Sequence, residues 1–234
     1  MEKKYELLKD DAIKSNWSTL YRIRALRDFN DVKRGDLGGY IEKETNLSHD
    51  GNCWVSDNAR VFGKARVSGN ACVSGTAQVS GNVQVSDNAR VSGNACVSGD
   101  AKVSDNARVF GEAWVSGDVR VSDNAWVSNN ACVSGDACVY GNAKIYSNAY
   151  ITNINDYIVI GPIGSRNDFT TFYLTKDKEI MVLCGCFNDT IDEFIKAVNK
   201  THANNEMYRT DYIGAIEYIK KKLKSNNIIK NMNY

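Results

Sequence analysis

Only two of the 234 residues are histidine, His49 and His202, so a metal centre built on three imidazoles is excluded from the outset. Long apolar runs are missing as well. No stretch approaches the eighteen or more residues of a membrane helix, and the opening MEKKYELLKDD has no apolar segment of the signal-peptide kind. There is no excess of charge. With 29 basic and 28 acidic side chains the net charge is +1, so no global field selects nucleic acid, an acidic partner or a membrane surface. A paired cysteine framework is absent too. Cys53, Cys72, Cys96, Cys132, Cys138, Cys184 and Cys186 are scattered and odd in number, which suits a reducing compartment, and the cytoplasm is the expected location.

What the chain does have is a repeat. From Val55 an aliphatic residue returns every six positions through Val61, Val67 and Val73 to Ile145 and Ile151. A small residue stands four places after each, as at Ala59, Ala65, Ala71 and Ala77, and the unit reads V-S-G-N-A-x. The triplet A-x-V alternates, so Ala and Val face inward and x faces out along a very short strand. The S-G-N or S-D-N that follows is turn chemistry, because Gly, Asn and Asp tolerate left-handed backbone. A strand this short buries nothing alone, so the units must wrap round a shared axis and stack, each on its equivalent in the next coil.

In these positions the chain resembles the bacterial hexapeptide-repeat family. The resemblance implies a left-handed parallel β-helix of triangular section with eighteen residues per coil, and about six coils over residues 40–153. It also implies side-by-side self-association, commonly as trimers. YRIRALRDFNDVKRGDLGGYIEKETNLSHDGNCWV at the start, with IGSRNDFTTFY and CGCFNDTIDEF near the end, is similar to prophage-borne hexapeptide-repeat proteins. That likeness implies phage origin and a shared architecture, but no activity. The expected fold class is mainly β: an N-terminal β cap over residues 1–39, the hexapeptide-repeat solenoid over 40–153, and a small C-terminal α+β domain over 154–234.

If eighteen residues make a coil, the x residues sort into three outer walls. One carries Trp54, Cys72, Arg90, Arg108, Trp126 and Lys144; a second Arg60, Gln78, Cys96, Trp114, Cys132 and Tyr150; a third Arg66, Gln84, Lys102, Arg120 and Cys138. Cations interleaved with Trp could stack and neutralise a single-stranded nucleic acid. The plainer reading is that long cationic side chains solvate a sheet and discourage edge pairing, so a nucleic-acid partner is not expected. Trp54, Arg90, Arg108, Trp114 and Trp126 are the candidate contact residues, and Phe62, Phe110 and Tyr140 add exposed aromatics outside the core. Asp87, Asp105 and Asp123 recur at eighteen-residue spacing and should form a corner ladder. A cation could sit there, although Asp-Asn is ordinary turn chemistry.

Both ends of a solenoid need covering. Before the repeats, Tyr5 to Leu8 and Leu20 to Leu26 read as strands; Arg22 and Arg24 share one strand face, which is read as solvated rather than as an anion site. After them, DYIVIG, FTTFYLT and EIMVLCGCF read as strands. Helices follow, the first opened by a capping box at Thr190-Ile191-Asp192-Glu193, the second with Tyr212, Ile213, Ile216, Ile219 and Leu223 on one face and a lysine-rich end.

Two places could carry chemistry. Cys184-Gly-Cys186 would put both thiols on one strand face with His202 near the helix end, against the commoner outcome of small packed cysteines. The loop Gly161 to Asn167 offers amides, the Ser165 hydroxyl, the Arg166 guanidinium and Asn167 as a cradle for phosphate or nucleotide, although it lacks the lysine and helix of a P-loop. Acyl transfer, the usual activity of the hexapeptide family, would require a histidine base on the coils and often a projecting loop, and the run from Val55 to Ile151 offers no such loop. The expectation is therefore a non-enzymatic scaffold acting by self-association or by binding a protein partner, with no catalytic residue, metal or cofactor. A small-ligand or nucleotide-binding protein, such as one that sequesters a host signal, and an acyltransferase are the alternatives.

Overall fold

The structure, a computed structural model, describes residues 2–14 and 18–225, with side chains in the last helix described as far as residue 222. From Ile41 to Ile151 the chain is a parallel β-solenoid. Each hexad contributes one x-Val or x-Ile strand, and each strand inside the stack pairs in parallel with those eighteen residues before and after it, as Arg90 does with Cys72 and Arg108. Three sheets result, and they match the three walls expected from the period. The Ala and Val positions are buried throughout, and Val83 and Val119 fill the small-residue slot without exposure. Alternation over three residues is thus enough to build a continuous core once the coils stack.

The corners are ladders of residues with positive φ, including Asp57, Asp87, Asp105 and Asp123. Glycine is required where corners stack most closely: a Cβ on Gly99, at φ +77°, would lie 2.6 Å from the amide nitrogen of Gly117.

Hydrogen bonds between coils give the solenoid two different ends. The amides of the x, Ser and Asn positions donate forward, as Trp54 N does to Ala71 O, Ser56 N to Val73 O and Asn58 N to Gly75 O, at 2.9–3.0 Å. Carbonyls of the first coil therefore face the N-terminal end and lack a preceding coil. Amides of the last coil face the other end and lack a following one.

The N-terminal end is closed by an antiparallel hairpin, Tyr5–Lys14 with Thr19–Ala25, joined through Leu37–Ile41 to the sheet behind the Trp114 wall, which thereby reaches nine strands. The first strand runs on to Lys14, past the Leu8 expected from sequence, by way of a bulge between Leu8 and Ala12. Arg22 and Arg24 are engaged within the cap, Arg24 with Glu6 and Arg22 with Asp11 and Tyr40.

A four-stranded antiparallel sheet, Tyr157–Ile163, Asp168–Leu174, Ile180–Cys184 and Phe187–Thr190, covers the other end. One face, with Tyr157, Tyr173, Val159, Met181 and Leu183, joins the solenoid core. The opposite face, with Phe172, Leu174, Ile180 and Val182, packs on α1 (Ile191–Thr201) and α2 (Glu206–Ser225) through Phe194, Val198, Ile216 and Ile219. Thr190 caps α1 by accepting from Glu193 N at 3.3 Å, while the Glu193 carboxylate pairs with Lys196 rather than closing a reciprocal box. Leu223 and Lys224 lie outside the described side chains. The stretch EIMVLCGCF is not one strand. It folds back at Gly185-Cys186, with Gly185 at φ +61°, and the chain returns as Phe187–Thr190.

Candidate functional site

The three walls differ in chemistry. In the Arg108 wall, Arg108 and Lys144 stand 5.2 and 5.7 Å from the ring of Trp126, which also meets Phe110 edge-on at 5.9 Å. Cation–π contact and edge packing thus occupy Trp126 within its own chain. Beside this row an asparagine ladder runs from Asn52 through Asn70, Asn88 and Asn106 to Asn124, each amide donating to the next side-chain carbonyl at 3.1–3.3 Å. The Lys102 wall mixes Lys102 and Arg120 with Asp100, Asp118 and Asp136 at the adjoining corner. The Trp114 wall is uncharged over five successive rows, Gln78, Cys96, Trp114, Cys132 and Tyr150. Burial raises the thiol pKa of Cys96 and Cys132 on this wall.

Trp54 corrects one expectation. It belongs to the outward row of the Arg108 wall, yet it is buried, packed edge-on against Tyr5 and Phe29 at 6.4 and 5.3 Å under the N-terminal cap. The other expected contact residues, Arg90, Arg108, Trp114 and Trp126, are exposed.

The aspartate ladder is built into the coils. Asp123 Oδ2 accepts from Gly141 N at 2.9 Å and Asp105 Oδ2 from Asp123 N at 3.3 Å, while Ser86 and Ser104 hydroxyls donate to Asp87 and Asp105. These carboxylates tie one coil to the next. Among the described residues no group of three or more His, Cys, Asp and Glu gathers in a way that could hold a metal ion.

Where the register breaks near His49 and Asp50, an open cleft of about 880 Å³ forms beside Lys43, His49, Lys64 and Arg66. His49 is the one histidine on the coils and hence the position from which acyl transfer would need a base. Its Nδ1 accepts from Lys4 N at 3.2 Å, which leaves the proton of the neutral ring on Nε2. Burial, outweighing the Glu44 carboxylate, lowers its pKa, and the ring stacks on Tyr5 at 4.4 Å. The amide of Lys4 and the ring of Tyr5 thus hold the imidazole between the cap and the first coil.

Beyond the solenoid, the structure gathers most of the residues singled out after residue 160. Tyr212 is the hub, a residue that sequence reasoning gave only to the apolar face of its helix. Its hydroxyl meets Cys184 Sγ at 3.8 Å and bonds Ser165, His202 stacks on its ring at 5.7 Å, and burial pushes its pKa up to about 12. Arg166 lies over Gly185 and donates to Cys186 Sγ at 3.7 Å. Because the chain turns at Gly185-Cys186, the two thiols do not share a strand face as the spacing suggested; a two-residue Gly-X turn in an apolar run was the available signal. Asn167 serves the turn, at φ 49° with its amide on Gly164 O. The loop amide of Gly164 already donates to the Asp211 carboxylate at 3.3 Å, which puts negative charge where a phosphate would sit.

The polar residues at the two ends are the ones sequence reasoning missed. At the N-terminal end Lys4, fully buried, donates to the carbonyls of Cys53, Gly51 and Asp50 at 2.9, 3.3 and 3.5 Å. The Tyr5 hydroxyl donates between Glu44 O and Leu47 O, and Arg22 bonds Gly38 O and Asp57 O. At the C-terminal end Thr171 Oγ1 accepts from Lys144 N at 3.1 Å and the Tyr157 hydroxyl from Tyr140 N at 3.3 Å. Asp156 Oδ2 accepts from Thr152 N and Asn153 N at 2.8 and 2.9 Å. Donors thus meet the carbonyl end and acceptors the amide end.

Among the described residues no helix is long and apolar enough to cross a membrane. A family model described as "Bactofilin: Polymer-forming cytoskeletal" matches residues 37–153, half of the chain. A 55-residue segment is 49% identical to an Escherichia coli K12 protein described as "Uncharacterized acetyltransferase YdcK". That match covers 23% of this chain and 17% of the relative's length.

Proposed function

The chain belongs to the bactofilin family of polymer-forming cytoskeletal proteins, and from that premise we propose that it is a non-enzymatic scaffold that self-associates side by side, through its walls. The observation that carries this reading is the closure of both ends. Repeat solenoids join end to end through unpaired terminal coils. Here the first coil's carbonyls are bonded by Lys4, Tyr5 and Arg22, and last-coil amides by Thr171 and Tyr157. The open surface is lateral: flat, regular, and ruled at one coil per roughly 4.8 Å. Sedimentation equilibrium of the full chain tests the reading. Concentration-dependent association is expected, and a single monomeric species at every concentration would contradict it.

Acyl transfer is the second reading, supported by the segment that matches the acetyltransferase-like relative. It would place a donor in the cleft by Lys64, Arg66 and His49. Acetyl-coenzyme A turnover that is lost in His49→Ala would favour it; no turnover by the full chain would remove it.

A further inference from the structure

Self-association through walls leaves open which wall, and the row chemistry separates them. We infer that the Trp114 wall is the face on which a second copy of this chain docks, like wall against like wall, with Trp114 at the centre; this rests on the self-association reading above. Trp114 is 56% exposed and stands between Cys96 and Cys132 in its row. Trp126, on the Arg108 row, is less exposed at 37% and is contacted by Arg108, Lys144 and Phe110 of its own chain.

Charge selects the same wall. Two copies meeting through the Arg108 wall would oppose Arg90 and Arg108 to identical cations, and the Lys102 wall brings Lys102 and Arg120 with its aspartates. Desolvating such rows against their own kind is costly. From Gln78 to Tyr150 the Trp114 wall has no charge in its central row, so this cost is confined to the acids on its borders, Glu112 and the corner residues Asp100, Asp118 and Asp136.

Geometry selects a second copy as the occupant. A repeating wall is matched coil for coil by another wall of the same pitch, and a two-fold axis either along or across the solenoid sets Trp114 against its own equivalent. Immediately beside that residue the row is symmetric, with one cysteine on either side. The wall is also the longest, because the N-terminal hairpin extends its sheet to nine strands against six and five in the others. At roughly 4.8 Å per coil and about 10 Å of strand width, the repeat part of the wall covers only a few hundred Å² per copy. That falls below the ~800 Å² per partner of a stable complex, so the pair should be weak and concentration-dependent.

The test is sedimentation equilibrium of the wild type, Trp114→Lys and, as a control on another wall, Arg120→Ala, each checked for an unchanged thermal transition. Trp114→Lys should weaken association at least about tenfold, and Arg120→Ala should leave it unaltered. In parallel, the wild type is treated with a short bismaleimide and its linked peptides are mapped by mass spectrometry. Links between copies through Cys96 or Cys132 are expected: a 96–96 and 132–132 pattern for parallel copies, a 96–132 pattern for antiparallel ones. A wild type that associates as before with Trp114→Lys, or links only through cysteines off this wall, overturns the wall assignment while self-association stands. A monomeric wild type removes both. Should Trp114→Lys fail to fold, the cross-link map decides alone.

Discussion

The two ends of the solenoid show the same backbone in opposite states. At the N-terminal end carbonyls are left over, and the cap brings an ammonium, a phenol and a guanidinium to them. At the C-terminal end amides are left over, and the cap brings a threonine hydroxyl, a phenol oxygen and a carboxylate. The difference follows from chain direction: with most inter-coil amides donating forward, carbonyls predominate at one end and amides at the other. What it teaches is that capping here is chemical matching as well as shape. The lysine end is the more demanding of the two. Burial of Lys4 lowers its pKa against the opposing pull of Cys53, so it sits there at a desolvation cost that its carbonyl partners, the Cys53 sulfur and the Phe29 ring offset.

Breaking the carbonyl end entirely should have the largest effect. Removing residues 2–36 strips away Lys4, Tyr5 and Arg22 and uncovers Trp54. Because the other end stays covered, electron microscopy should then reveal particles paired through the uncovered coil, about twice the parent's length, and particles that keep the parent's length would argue that the cap does not guard this edge.

Lys4→Met keeps the bulk of the side chain but deprives the carbonyls of Cys53, Gly51 and Asp50 of their donor. A loss of about 2 kcal/mol in urea-induced unfolding is expected. A loss below about 0.5 kcal/mol would mean that desolvating the ammonium cancels its bonds.

The amide end should be more forgiving, because its acceptors are separate single groups. Thr171→Val, nearly the same shape, orphans one amide, that of Lys144, and should cost about 1 kcal/mol by the same assay. A cost equal to that of Lys4→Met would erase the asymmetry between the ends.

The smallest effect is a pH dependence at the carbonyl end. Burial holds the His49 pKa below its ordinary value, so the unfolded chain binds the proton more readily. His49 therefore contributes stability that is present above about pH 6.5 and is lost as pH falls through its lower folded value. Replacing it with Gln should flatten the decline of the melting temperature in that window, and an unchanged decline would assign it to other groups.

The solenoid was legible because its signal is periodic: Val55 to Ile151 recurs without a gap, and the eighteen-residue rows that follow from the period are the observed pairings. The caps were legible only as elements. Their working contacts join residues far apart, Lys4 with Cys53 and Thr171 with Lys144, and no spacing rule connects them. Trp54 shows the same limit. Its place in the row was read correctly, but the hairpin that folds over it lies some fifty residues earlier in the chain. In the C-terminal domain Ser165, Cys184 and His202 lie around Tyr212, whose hydroxyl is invisible to a reading that counts it as one more apolar position.

Lateral growth from closed ends is the central claim, and small-angle X-ray scattering over a concentration series tests it most directly. The account predicts that the cross-sectional radius rises with concentration while the maximum dimension stays close to that of a single chain. A maximum dimension that grows in steps of one solenoid length at constant cross-section would contradict it.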